Sequence, residues 1–141
     1  MASANLELVR SIHAAWDRGD LSSVEWAVPE IEYVIADGPA PGRWSGLSGL
    51  AEGVSSWVGT WAEFGTAADE YRELDDERVL VLTRFSGRGK TSGLDLTQVR
   101  TRGAHLFHIR EGKVTRLVLY MDSERALLDL GLASEAEARG S

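Results

Sequence analysis

The chain has 141 residues, enough for one domain with a substantial hydrophobic core. With 15 Lys and Arg against 22 Asp and Glu, the net charge is −7, which excludes the basic surface of a nucleic-acid-binding protein. The sequence contains no cysteine, which excludes disulfides, thiolate nucleophiles and cysteine-ligated metals. The segment from Met1 to Leu8 lacks the basic and apolar regions of a secretory signal, and no apolar run approaches the ~20 residues that cross a bilayer. We therefore expect a cytoplasmic protein that has neither nucleic acid nor a membrane as a partner.

Three helices are predicted in the first half of the chain. The first covers residues 5–18, where apolar residues recur at intervals of three and four, namely Leu8, Val9, Ile12, Ala15 and Trp16. A Ser22-x-x-Glu25 capping pattern predicts a short second helix over 21–27, which Pro29 ends. The third helix is predicted over 47–64, with an apolar stripe formed by Leu47, Leu50, Val54, Trp57, Val58 and Trp61.

The first strand is predicted where Ile31, Tyr33 and Ile35 alternate with other residues. Asp37 continues this alternation, so its side chain is expected on the same face as the three apolar residues. A loop rich in proline and glycine follows over 38–46.

The second half of the chain is rich in strands. They are predicted over 67–74, 79–85, a long segment that ends at 109, and 114–121. The turn Arg110-Glu111-Gly112-Lys113 joins the last two strands as a hairpin. Ser123 is predicted to cap a short helix that ends at Gly131, and residues 133–141 are expected to form a flexible tail. Helices segregated from adjacent antiparallel strands indicate an α+β fold, with a single domain over residues 1–132.

Four sequence motifs, in this order and spacing, carry a resemblance to a known family: Ala-Trp-Asp-Arg-Gly-Asp-Leu21, Val-Pro-Glu-Ile-Glu-Tyr33, Arg-Trp-Ser-Gly46 and His-Leu-Phe-His-Ile-Arg-Glu-Gly-Lys-Val114. Over about residues 5–132 the chain resembles the NTF2-like superfamily, and within it the SnoaL-like and ketosteroid isomerase-like group. The resemblance implies a cone-shaped, curved antiparallel sheet that wraps around helices and encloses an apolar pocket, commonly in a homodimer. It fixes no activity, because the superfamily holds isomerases, cyclases, dehydratases, hydrolases and binding modules.

Asp37 is the first candidate for a catalytic residue. Ketosteroid isomerases carry a general-base Asp eight residues before the Ser-Gly that starts the third helix, and Asp37 stands eight residues before Ser45-Gly46. A carboxylate on an apolar face loses hydration, which raises its pKa toward that of a useful base. The alternative is that Asp37, followed by Gly-Pro, caps backbone N–H groups.

His105 is the second candidate. It falls where the resemblance places a protonated Asp that donates to an oxyanion, and a histidine there could donate a hydrogen bond or exchange a proton. Phe107 and Ile109 share its strand parity, so the alternative is a hydrogen-bonded core histidine. His108 has the opposite parity, which rules out a metal site formed with His105. His13 neighbours core positions of the first helix and could reach the mouth of the pocket, but it is expected to be solvent-exposed.

The chain also departs from the isomerase pattern, because Ile12 stands where the resemblance expects the oxyanion tyrosine. Isoleucine cannot donate a hydrogen bond, so we do not expect steroid isomerisation. Tyr33 or Tyr120 could supply a phenol from another strand. An Asp–His pair without that tyrosine is more similar to SnoaL-type cyclases.

Aromatic side chains are expected to bind the substrate, because flat apolar groups suit a planar or hydrophobic ligand, and the alternative is that they only fill the core. The candidates are Trp16, Tyr33, Trp44, Trp57, Trp61, Phe107 and Tyr120.

Two functions remain open. The first is an isomerase or cyclase in which Asp37 removes a proton from a small hydrophobic molecule and His105 stabilises the oxyanion, with no organic cofactor and no metal. The second is a non-catalytic module for hydrophobic-ligand binding or dimerisation.

Overall fold

The computed structural model describes residues 3–18, 25–37, 41–59, 61–89 and 102–131. Within these ranges the elements follow the order α1 (Ala4–Asp17), β1 (Ala27–Ile35), β2 (Gly42–Ser45), α2 (Gly46–Gly59), β3 (Trp61–Glu73), β4 (Arg78–Gly89), β5 (Arg102–Arg110), β6 (Lys113–Tyr120) and α3 (Ser123–Asp129).

Helix α1 begins where the sequence predicts it, and Ser3 caps it by accepting a hydrogen bond from the Leu6 backbone N–H. Residues 21–24 of the predicted second helix lie outside the described residues, but the prediction is wrong for 25–27, because Glu25 and Trp26 form a turn and Ala27 opens β1 and pairs with Val114. Pro29 is tolerated inside β1 because the pairing of β1 with β6 is irregular between Ala27 and Glu32.

Helix α2 is shorter than predicted. It ends at Gly59, and Trp61 opens strand β3 rather than extending the helical stripe. Pairing of Trp61 with Gly89 on β4 decides this, because a 13-residue strand against β4 outweighs the helical preference of a few residues. Strand β2 was also missed, since it lies inside the segment predicted as a loop.

The strands form one open sheet in the order β2-β1-β6-β5-β4-β3. The neighbours pair antiparallel except β1 and β6, which are parallel, so the prediction of a wholly antiparallel sheet is wrong for that pair. No hairpin constrains the direction of β1 against β6, because most of the chain separates them. The β5–β6 hairpin is as predicted, with Glu111 and Gly112 at φ 53° and 77°.

The two faces of the sheet carry separate apolar clusters. The inner face packs against α1 and α2, and its members include Ile31, Ile35, Val79, Val81, Phe107 and Leu119. The outer face packs against α3, and its members include Leu80, Leu82, Ala104, Leu106, Val118 and Tyr120.

Helix α3 begins one residue earlier than a Ser123 cap would place it. Asp122 is the N-cap and accepts a hydrogen bond from the Glu124 backbone N–H, whereas Ser123 is the buried first helical residue. Ala126 and Leu127 of α3 are buried on the outer face. A homodimer stays a prediction, and if it forms through the outer face, α3 is part of the interface.

Candidate functional site

Two histidines meet on the inner face of the sheet. His13 comes from α1 and His105 from β5, and their side chains are 0% and 6% exposed. The ring centroids lie 5.0 Å apart with an interplanar angle of 67°, so the rings contact edge to face. We call His13 and His105 the histidine pair.

The position of each histidine follows from its element. On β5, His105 pairs with Val81 and Leu119, both residues of the inner face. On α1, His13 lies four residues after Val9 and three before Trp16, within the buried stripe. The expectation that His13 is solvent-exposed is therefore wrong, and its spacing from Val9 and Trp16 was the signal that could have located it.

Aromatic rings surround the histidine pair. Trp16 and Phe85 lie 5.0 and 5.8 Å from the His105 ring, centroid to centroid. Phe107 and Tyr71 lie 6.0 and 6.2 Å from the His13 ring. The pair therefore lies in an apolar environment built from α1, β3, β4 and β5.

Several buried polar atoms on this face have no hydrogen-bond partner among the described residues: His13 Nδ1, His13 Nε2, His105 Nδ1, Thr83 Oγ1 and Thr66 Oγ1. Thr83 lies diagonally between Thr66 and His105, because Thr83 pairs with Ala68 and Gly103. Such neighbours are about 7–8 Å apart, so the groups follow one line across three strands. Each unsatisfied buried group costs about 1–3 kcal/mol, so these groups lower the stability of the fold as long as nothing satisfies them.

Burial sets the charge state of both histidines. Desolvation lowers the pKa of His13 to about 4. Desolvation also lowers the pKa of His105 well below its ordinary value, and the nearby His13 lowers it further. Both rings are therefore neutral at pH 7, and each offers one N–H donor and one nitrogen acceptor.

Asp37 does not join the histidine pair. The backbone N–H groups of Met121 and Asp122 donate to its Oδ1 and Oδ2, at 2.6 and 3.3 Å. Ile35 and His105 both pair with Leu119, so β6 separates Asp37 from β5. Asp37 lies two strands away from His105 and two residues beyond Ile35, which puts the two backbones about 12 Å apart. The carboxylate instead connects the end of β1 to the start of α3, which favours the backbone-capping alternative.

We expect Asp37→Asn to lower the free energy of unfolding by about 1–3 kcal/mol, because an amide can accept only one of the two backbone hydrogen bonds and presents its NH₂ to the other donor. Urea denaturation followed by circular dichroism measures this. Asp76→Ala, an exposed acid in the β3–β4 turn, is the control and should change stability by less than about 0.5 kcal/mol. Equal stability of Asp37→Asn and the wild type would contradict the capping role.

The structure brings only part of the predicted aromatic set together. Trp16 and Phe107 contact the histidine pair. Tyr33 and Trp44 contact each other at 5.8 Å beneath α2, where a Cβ on Gly53 would lie 2.5 Å from the Tyr33 ring. Tyr120 lies on the outer face with α3. Trp57 belongs to α2 and Trp61 opens β3, but their side chains lie outside the described residues.

Three further observations concern metal binding, the parity of the β5 histidines and membrane-spanning helices. Among the described residues, no group of three or more His, Asp or Glu side chains could hold a metal ion. His108 lies on the outer face beside Arg78 and Arg116, which confirms the predicted opposite parity of His105 and His108. None of the helices described is long and apolar enough to span a membrane.

The comparison with known proteins rests on structure. No family model and no curated protein matches the sequence. An NTF2-like protein of unknown function from Burkholderia pseudomallei matches with a TM-score of 0.70 and 21% identity, over 90% of this chain and 97% of that chain. TerC, co-crystallised with polyporic acid, matches with a TM-score of 0.70 and 22% identity, over 91% and 98% of the two chains. A protein with a ketosteroid isomerase-like fold from Catenulispora acidiphila, in complex with trimethylamine, matches with a TM-score of 0.64 and 15% identity, over 90% of this chain and 94% of that chain.

The chain has an NTF2-like fold. The predicted resemblance is thus confirmed for the fold, and proposed polyketide cyclases, one of them SnoaL-like, are also among the structures that match. Among the described residues of this NTF2-like chain, the inner-face side chains with buried polar atoms that lack a hydrogen-bond partner are His13, His105, Thr66 and Thr83, whereas the sequence predicted Asp37 and His105 as the polar site residues.

Proposed function

We propose that this chain binds a small hydrophobic molecule on the inner face, with the histidine pair as its polar recognition element. The observation that carries the proposal is the pair itself: two adjacent buried imidazoles with three nitrogens that lack a hydrogen-bond partner among the described residues. Folded proteins rarely leave such groups unsatisfied, and a ligand with polar groups would satisfy them.

The surroundings support an apolar ligand body. Trp16, Phe85 and Phe107 present ring surfaces next to the histidine pair, and flat rings bind planar or hydrophobic molecules through offset and edge contacts. TerC, which shares the fold, was co-crystallised with the small molecule polyporic acid. We place the protein in the cytoplasm, in keeping with its composition and net charge of −7.

Acid–base catalysis, of the isomerase or cyclase type, is the second candidate function. The distance of 5.0 Å between the two imidazoles favours it, because one neutral ring can accept a proton from a ligand carbon while the other donates to the ligand oxygen. In this mechanism His13 takes the part that the sequence assigned to Asp37, and neither organic cofactor nor metal is required.

Binding is tested by titration with polyporic acid and 2-naphthol, followed by tryptophan fluorescence. We expect saturable quenching, because Trp16 lies 5.0 Å from His105. His105→Gln should weaken binding about tenfold or more, since a lost hydrogen bond in a buried site costs about 1.5 kcal/mol. The matched control is His108→Gln, on the same strand but on the opposite face, which should leave affinity unchanged. Equal loss in both variants would contradict a site at the histidine pair.

Catalysis is tested with 2-tetralone, a hydrophobic ketone with an acidic carbon, in D₂O. If the histidine pair performs proton transfer, NMR should show exchange of the ketone α-hydrogens in the wild type and its loss in His105→Gln. Binding without exchange would overturn the catalytic candidate and leave the binding module.

A further inference from the structure

The charge environment of the histidine pair narrows the class of ligand. Among the described residues, the rings that contact it are Trp16, Phe85, Phe107 and Tyr71, none of which is negatively charged at pH 7. The charged groups nearest on α1, Arg10 and Asp17, both act on Tyr71, and the Arg10 guanidinium lies 5.3 Å from the Tyr71 ring. His13 Nδ1, His13 Nε2 and His105 Nδ1 have no hydrogen-bond partner among the described residues, so no described carboxylate binds these three nitrogens.

We propose that the site takes a weak acid, such as an aromatic carboxylic acid, and that the ligand enters as its anion together with one proton that the histidine pair holds. This inference rests on the proposed function and adds the ligand class to it.

The reason is that this site can gain positive charge but cannot gain negative charge. An imidazole becomes a cation by binding a proton, so a buried anion can be neutralised on the spot. Among the residues that the structure describes, a ligand cation would find no carboxylate at the histidine pair, and Tyr71 does not supply a negative charge because burial and Asp17 raise its pKa. An uncompensated buried ion is costly, so the histidine pair discriminates against cations.

The hydrogen-bond donors of the site suit an anionic ligand. A protonated imidazole donates from both nitrogens, and the Thr66 and Thr83 hydroxyls can donate as well. A carboxylate accepts up to about four hydrogen bonds, so it can satisfy several of these groups at once. A neutral amide would satisfy fewer, because its NH₂ cannot accept.

Proton uptake on binding determines how the affinity for the ligand changes with pH. The free histidines are neutral above about pH 5, since the pKa of His13 is about 4 and that of His105 is also lowered. A bound anion raises the pKa of the imidazole beside it, so a proton is taken up on binding. Between pH 5.5 and 7.5 the Kd of the acid should therefore rise by up to about tenfold per pH unit.

The experiment compares two probes of the same shape, 2-naphthoate and the neutral 2-naphthamide, by isothermal titration calorimetry. Measuring in phosphate and in imidazole buffer, which differ in ionisation enthalpy, gives the number of protons taken up. We expect 2-naphthoate to bind about tenfold or more tightly than 2-naphthamide at pH 6, with the uptake of 0.5–1 proton. His13→Leu should reduce both the preference for 2-naphthoate over 2-naphthamide and the number of protons taken up. The outer-face control His108→Gln should change neither.

The possible failures are distinguishable. Equal affinity for the two probes, or binding of 2-naphthoate without proton uptake, would overturn the acid-ligand inference while binding itself stands. Absence of saturable binding of both probes in correctly folded protein would overturn the proposed function. Circular dichroism of each variant confirms folding, and His105→Gln serves as the second inner-face variant if His13→Leu does not fold.

Discussion

His13→Leu is expected to raise the free energy of unfolding at pH 7 by about 1–3 kcal/mol, although it removes a buried side chain of the candidate site. Both nitrogens of His13 are buried without a partner among the described residues, so the wild type bears a desolvation cost that leucine avoids. Leucine has a similar volume and suits the middle of helix α1. Urea denaturation at pH 7 measures the change.

The same variant should lose much of the acid sensitivity of the wild type. The folded pKa of His13, about 4, lies below the unfolded value of 6.5, so the unfolded chain binds more protons between these two values. Wild-type stability therefore falls as the pH falls through this window, by about 2 kcal/mol from pH 7 to pH 5 on account of His13 alone. His105 adds a contribution of the same sign.

The control for this pH profile is His108→Gln, which removes a half-buried histidine from the outer face. It should retain most of the acid sensitivity, because the His13–His105 contact remains. A wild-type stability that stays flat from pH 7 to pH 5 would contradict the neutral buried histidine pair. A more stable but non-binding His13→Leu variant would indicate that the histidine is retained for function at a cost in stability.

Gly103→Ala is expected to destabilise the protein by about 3 kcal/mol. A Cβ at this position would lie 2.1 Å from Phe85 Cε2 and 2.4 Å from the Tyr120 backbone oxygen. The phenyl ring could rotate away, but the carbonyl belongs to strand β6 and cannot move without disturbing the sheet. The melting temperature, followed by circular dichroism, checks the prediction.

A second glycine supplies the control for Gly103→Ala. Gly112, in the β5–β6 turn, has nothing within 4 Å of its would-be Cβ and a φ of 77°, which asparagine tolerates. Gly112→Asn should therefore change stability by less than about 0.5 kcal/mol. Since Phe85 lies 5.8 Å from His105, Gly103→Ala should also weaken ligand binding. An unchanged melting temperature would contradict the close approach of the Tyr120 backbone oxygen to Gly103.

Local patterns were enough to predict much of the sheet. Alternation along β5 placed His105 and Phe107 on one face and His108 on the other, and the structure confirms this arrangement. The Glu111-Gly112 turn was predictable because Gly112 suits a positive φ angle without steric cost. These features depend on near neighbours in the chain, which the sequence displays directly.

The partners of Asp37 were not predictable, because Met121 and Asp122 lie more than 80 residues further along the chain. Their contact depends on the parallel pairing of β1 with β6, and no local sequence pattern specifies which distant strand pairs with β1. The resemblance placed Asp37 correctly at the end of a strand, but only the register shows that its carboxylate binds backbone N–H groups.

By itself the sequence determined the α+β class, the NTF2-like fold and the inner-face position of His105. The tertiary structure decided which groups His105 meets. His13 lies on the helical stripe in the sequence, but a helix can place such a residue either at the edge of the core or in its centre. The packing of α1 across β3 and β4 brings His13 to within 5.0 Å of His105. Burial and charge state follow from that contact between distant elements, and so does the candidate chemistry of the site.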